Sequence, residues 1–158
     1  IRAGESLEGA DLSGLDITGA NLSSGDLKGV NLKGANLTGA YLTGTHLEGA
    51  SLERADLKSA RLRSANLSEA NLSGAKLIRT DMSGANLSGA NLSDADLSNA
   101  NLWKANLTGA NLLHANLTRA LMAMANLRGA NLIQADLTET QLIRAELTDT
   151  ILPEGFEK

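Results

Sequence analysis

The chain has 158 residues, one domain's worth, and carries 14 basic against 18 acidic residues for a formal net charge of −4, too little to recruit nucleic acid or a membrane surface by electrostatics alone. Its three aromatic residues, Tyr41, Trp103 and Phe156, are too few for an ordinary core of this size, and the lack of cysteine excludes a disulfide frame, a zinc–thiolate site and a thiol nucleophile. No run of about eighteen apolar residues is present, which excludes a spanning helix.

Residues 1–4 form a short N-terminal end. From residue 5 to residue 152 the chain repeats every five residues. With the centre taken as every fifth residue from 7 to 152, leucine fills 27 of 30 positions, and Ile17, Met82 and Met122 fill the rest. The slot two before the centre is alanine in 22 of 30 units, the exceptions being Glu5, Leu15, Gly25, Val30, Thr45, Thr80, Thr140 and Thr150. The slot one before is Asn or Asp in 20 of 30, and no insertion breaks the register. So strict an internal repeat decides the fold before any local propensity does.

A period of five makes no stripe on an α-helix, where successive leucines would drift by about 140°. On a continuous strand it would put them on alternate faces. The chain must therefore bend once per unit. Alanine and the leucine two residues later share the inner face of a short extended piece, and the two residues after leucine make the corner. Gly at 9, 14, 19, 29, 34, 39, 44 and 49 supplies the positive φ that the third residue of a type II turn needs. Beyond Gly49 that position is often occupied by other residues, such as Arg54, Glu69, Arg79, Lys104, His114 or Met124, and the corner is expected to shift toward another turn class there. Leu15, in an alanine slot, is expected to fill a wider space near the N-terminal end. The stretch from Ser83 to Leu102 is the least varied and serves as the template for the rest.

The unit Ala85-Asn86-Leu87-Ser88-Gly89 resembles the A-(D/N)-L-x-x motif of the pentapeptide-repeat proteins, and the resemblance runs over roughly residues 5–152. It implies an all-β fold, a right-handed quadrilateral β-helix of 20 residues per coil and about 7.5 coils. The rod would be roughly 36 Å long at ~4.8 Å per coil. Spacings of 20 in the sequence agree: Trp103, Ala123 and Ile143 follow successive centres, as do Leu113 and Ile133. The column Asp16, Asn36, Asp56, Lys76, Asp96, Asn116 and Asp136 never stacks two acids in neighbouring coils, where like charges would repel.

At the C-terminus Pro153 removes a backbone donor and helps end the pairing. Ile151, Pro153 and Phe156 are candidates either for a cap folded over the last coil or for an end-to-end dimer contact, with residues 153–158 as the cap or tail. His46 and His114 fall on different sides of such a rod and are read as solvated turn residues, so no metal site is expected. Paired acid/base catalysis needs a cleft that sets two carboxylates apart, and a solid rod offers none. No phosphate-cradling glycine loop is recognisable. No enzyme activity and no cofactor are expected.

Sorting outward residues by side singles out one. The side centred on Leu7 and every twentieth residue after it nets −4, the next two −2 and −1. The side centred on Leu22, Leu42, Leu62, Met82, Leu102, Met122 and Leu142 nets +3, from Arg61, Arg63, Lys104 and Arg144 against Asp81. It also displays Tyr41, Trp103, Leu121, Met124 and Ile143. Apolar residues rimmed by arginine are the composition of a protein-binding patch. The competing expectation is that Trp103 lies flat on the rod and that Leu121 and Met124 only suit their turns.

The expected role is a non-enzymatic scaffold or protein-interaction module with a protein partner, or a homodimer through the Trp103 side or the C-terminal end, without direct nucleic-acid or membrane binding. The uniform Ala/Asn/Leu units are similar to those of cyanobacterial members of the family, some of which regulate heterocyst differentiation through protein contacts. The alternative that the resemblance offers is a DNA-mimicking, DNA gyrase-binding protein of the quinolone-resistance type. Those members show Phe at many centres, interrupting loops and a strongly acidic rod, none of which is found in this chain. The cytoplasm is the expected compartment. Because the chain starts at Ile1, the periplasm or thylakoid lumen would follow if an upstream signal was removed.

Overall fold

A computed structural model describes residues 6–156. The expected N-terminal end at residues 1–4 lies outside the described residues, as do Glu5, Glu157 and Lys158. Among the described residues there is no helix. The residue before each centre pairs in parallel with the residue 20 positions on, from Asp11↔Asn31 to Asn131↔Ile151 without a missing rung. The chain is thus a β-helix in which one coil takes four pentapeptides.

The repeat is explained by where its backbone N–H groups go. In the unit of Leu12, Asp11 takes a rung of the ladder, its O accepting from no turn but its neighbours bonding the next coil: Asn31 N–H donates to Ala10 O (2.9 Å) and Leu12 N–H to Asn31 O (2.8 Å). Gly14 N–H reaches Lys33 O of the next coil (2.9 Å), and Leu15 N–H closes the turn on Leu12 O (3.3 Å). A further donor, Ser13 N–H, goes to the Asp11 carboxylate (3.1 Å). Every Asn or Asp in this slot accepts the N–H two residues on, an Asx turn. An Asn also offers its amide to the coil before, as in Asn86 to Asn66 (3.0 Å), Asn106 to Asn86 (3.1 Å) and Asn111 to Asn91 (3.2 Å). The preference for Asn and Asp is therefore a satisfied donor, and for Asn a second bond between coils.

Every centre from Leu22 to Leu132 is 3 % exposed or less, with the alanines packed between them. Alanine lets the walls approach and leucine fills the space. The exceptions in the alanine slot have their own reasons. Thr45, Thr80, Thr140 and Thr150 each donate their hydroxyl to the centre carbonyl 23 residues earlier: Leu22, Leu57, Leu117 and Leu127, at 2.7 to 3.0 Å. Gly25 is small because a Cβ there would stand 2.9 Å from Leu22 O and from the Leu27 side chain.

Two expectations are corrected. The corners do not change class: non-glycine residues take positive φ at the same position, Arg54 at 54°, Arg79 at 56° and Met124 at 60°, beside glycines such as Gly49 at 63°. The reason is the ladder. Through Met124 the N–H of each such residue bonds the next coil, as Arg54 N–H does to Ser73 O (3.0 Å). The last corners, Gln134, Glu139, Arg144 and Asp149, are held from the coil before through the preceding carbonyl, as Ile133 O accepts from His114 N–H (3.0 Å). Each corner is thus kept in register by a neighbour despite the strain of about 1–2 kcal/mol that αL costs a side chain. Leu15, in turn, closes nothing. It is 46 % exposed, because the inner positions of the first coil, Leu7, Leu12 and Ile17, are themselves only partly buried.

Candidate functional site

The candidate strip follows the ladder Asn21, Tyr41, Arg61, Asp81, Asn101, Leu121 and Gln141. Exposed apolar side chains concentrate on it: Tyr41 at 41 %, Trp103 at 44 %, Leu121 at 40 %, Met124 at 45 % and Ile143 at 67 %. Trp103 is neither buried nor bare, since the Lys104 ammonium lies over its ring, 4.4 Å from the centroid. Arg61 stacks on Tyr41 in the same way at 4.7 Å. Such pairs cover one face of each ring and hold the cations close to it.

Trp103 stands in a column between Ser83 and Ala123. The small neighbours leave an open groove of about 420 Å³ lined by Arg63, Asp81, Ser83, Asn101, Trp103, Leu121, Ala123 and Gln141. The strip thus brings Arg63, Trp103 and Leu121 around one depression, with Lys104 beside it. Ile143 and Arg144 stand one coil beyond Ala123 and Met124, where Met124 N–H bonds Ile143 O (2.9 Å). Tyr41 and Arg61 form a separate pair toward the N-terminus. Sequence reasoning missed Ser83, Asn101, Ala123 and Gln141, although their spacing of 20 from Trp103 and Leu121 placed them in the same columns.

Charges in the groove are unevenly satisfied. Asp81 accepts from Ser83 N–H and from the Asn101 amide, both at 3.1 Å. Arg63 approaches it only at 4.0 Å, with two thirds of the arginine side chain exposed. Among the described residues, Arg61, Lys104 and Arg144 have no carboxylate partner.

The strip also departs most from the Asx pattern. Tyr41, Arg61, Leu121 and Gln141 occupy that slot at four of its seven units. As a result, no hydrogen bond takes up the N–H of Thr43, Arg63, Ala123 or Ile143 among the described residues.

At the C-terminal end, Ile151 is in register on Asn131 and 52 % exposed. Pro153 follows it where the Asx bond would be received, so Ile151 leaves no donor unsatisfied. Phe156 N–H bonds Pro153 O (3.2 Å), and the half-buried Phe156 leaves Leu137, Leu142 and Leu147 still partly exposed.

The histidines lie apart. His46 sits in the ladder between Asp26 and Asn66, not at a turn. His114 is at a corner, with Asp94 at 3.2 Å and Gln134 at 2.6 Å. Among the described residues no group of three His, Asp or Glu is placed to hold a metal.

The family model described as pentapeptide repeats matches eight copies, over residues 6–34, 35–74, 55–94, 65–103, 85–122 and 120–153. The chain belongs to the pentapeptide-repeat family. Members fold as right-handed β-helices. The solved structure of QnrB1, a plasmid-mediated fluoroquinolone resistance protein, shares that fold with it at a TM-score of 0.55 and 19 % identity, over 91 % of this chain and 90 % of that one. In sequence it is similar to HetL of the cyanobacterium Nostoc sp. strain PCC 7120, a pentapeptide-repeat protein involved in heterocyst differentiation regulation. That match has 33 % identity, covers 97 % of this chain and 87 % of the other, and has a TM-score of 0.46. It is also similar to Rfr23 of the cyanobacterium Cyanothece 51142, at 32 % identity, 93 % and 90 % coverage and a TM-score of 0.39. No curated protein matches in sequence.

Proposed function

We propose that this pentapeptide-repeat protein is a non-enzymatic scaffold that binds a protein partner through the strip around Trp103. The observation that carries the reading is a convergence: exposed apolar residues, cations without a close carboxylate partner and a groove all fall on the same strip. Trp and Arg at the centre of a patch are the residues that most often dominate binding energy.

The scaffold is a quadrilateral rod of about 7.5 coils. A turn every five residues and rungs every twenty support four sides per coil. Such a rod holds the strip rigid, so little ordering cost opposes association.

The gyrase-binding alternative finds no support in the strip. Its net charge is positive, the reverse of what imitating DNA asks, and the likeness to QnrB1 extends to the fold alone.

The test is affinity capture from the native host with wild type and with Trp103→Ala plus Leu121→Ser. Both side chains are exposed, so melting should stay within a few degrees of wild type while capture falls. Capture that is unchanged in the folded double variant would remove the strip from the binding site.

A further inference from the structure

Eight N–H groups after a centre are taken up by no hydrogen bond among the described residues. Four of them share the strip with the four cations, where both ask for anionic oxygen, and the other four, of Glu48, Glu53, Ile78 and Thr148, lie on sides that net negative. In twenty units of this protein the N–H after the centre is held by an Asn or Asp side-chain oxygen. At Ala123 and Arg63 that oxygen is missing, because Leu121 and Arg61 occupy the Asx slot. The backbone geometry is otherwise unchanged: Lys104 N–H still reaches Ala123 O (3.1 Å) and Leu121 still pairs with Asn101 and Gln141. What is left is a spare donor at each end of the groove, Ala123 N–H at one and Arg63 N–H at the other, the latter beside a guanidinium whose own partner is 4.0 Å away. Strand addition does not apply on this strip, since the ladder hydrogen bonds are already taken between coils. Recognition must come from side chains and from these spare donors.

We infer that the groove binds an acidic segment of the partner protein, with one bulky apolar side chain against Trp103, Leu121 and Ala123 and carboxylates on the Ala123 N–H and the Arg63 guanidinium. This rests on the interaction reading above and names the chemistry of its partner. Charge complementarity selects that occupant: the strip nets +3 in a protein of −4, so a basic segment would be drawn to the other sides instead. From the coil of Arg63 to that of Gln141 the groove crosses four steps of ~4.8 Å, enough for about six extended residues at ~3.3 Å each.

Trp103 is the only tryptophan, so its emission reports occupancy directly. The probes are three synthetic nonapeptides: glutamates around a central leucine, glutamates around a central serine, and lysines around a central leucine. The glutamate–leucine peptide should change Trp103 emission saturably below about 1 mM, with affinity falling several-fold as salt rises from about 50 to 500 mM. The serine peptide should bind at least about fivefold more weakly and the lysine peptide not at all. Arg63→Glu should weaken the first peptide about tenfold or more. Leu121→Asn, which restores the Asx oxygen for Ala123 N–H, should abolish binding while melting at or above the wild-type temperature.

Binding by the lysine peptide in place of the glutamate one would overturn the inference and leave the interaction reading standing. So would self-association that is detected by sedimentation and lost in Trp103→Ala, since the occupant would then be a second copy. If no peptide binds and Trp103→Ala with Leu121→Ser leaves host capture unchanged, both readings fall.

Discussion

Leu121 stands where the repeat normally places Asn or Asp, and the substitution works against stability. It leaves Ala123 N–H without a partner and exposes a leucine. Leu121→Asn should therefore raise stability by about 1 kcal/mol, through one Asx bond, and the melting temperature by about 2–4 °C. A lower melting temperature would mean that Leu121 packs for stability and not for a partner. The corners make the opposite case, in which a strained residue is retained because the ladder holds it. Arg79, at φ 56° and without an ion pair among the described residues, should tolerate glycine with a gain of about 0.5–1 kcal/mol, the αL strain being offset in part by the extra freedom of glycine in the unfolded chain. Thermal melts of Arg79→Gly beside wild type decide it, and a loss would show that the arginine side chain contributes contacts that outweigh the strain.

The single pentapeptide is stabilised by its inward leucine and by its outward Asx bond, and the two respond to different perturbations. Leu92, with no exposure in the middle of the rod, should not tolerate lysine: an unpaired buried cation costs several kcal/mol, and neighbouring coils have no other surface to pack on. Circular dichroism of Leu92→Lys should lose its β signal or its cooperative melt. The Asx bonds respond to acid. Asp11, Asp16 and Asp136 are held below the usual carboxylate range, first by the hydroxyls of Ser13, Thr18 and Thr138 and then by their N–H groups. Glu53 and Glu139 are lowered by Lys33 and Arg119. Because the folded pKa is the lower one, their stabilisation is complete above the unfolded carboxylate range of about 4 and is lost as pH falls through the folded values. Melting temperature should be flat from neutrality to about pH 5 and drop below about pH 4. Asn at positions 11, 16 and 136 should flatten that drop, since an Asn oxygen makes the same bonds without titrating, as Asn36 does with Thr38 N–H (3.1 Å) and Oγ1 (2.7 Å).

Across the whole molecule, what was legible in the sequence was the part that repetition multiplies. Thirty in-register units made the inward Leu and Ala, the bend per unit and the family resemblance plain, and the strip around Trp103 stood out against them. The class of the corners is not legible in a single unit, because local propensity reserves positive φ for glycine. Stacking supplies what local propensity withholds, and no single pentapeptide shows it. The groove was not legible because it is made by what lies beside Trp103 in neighbouring coils: the small Ser83 and Ala123 matter only once the rungs bring them together. The same dependence on neighbours sets how the rod comes apart. Centres from Leu22 to Leu132 are buried, whereas Leu7, Leu12, Leu137, Leu142 and Leu147 are only partly so, and a coil with one neighbour has half the contacts of one with two. Each step of opening from an end exposes only one coil, so opening free energy should rise coil by coil toward the middle. Hydrogen exchange should be slowest for amides near Leu72 to Leu92 and should quicken in steps toward both ends. Uniform protection from Leu12 to Leu147 would instead mean that the rod opens in a single all-or-none step, with coupling between coils strong enough to suppress fraying.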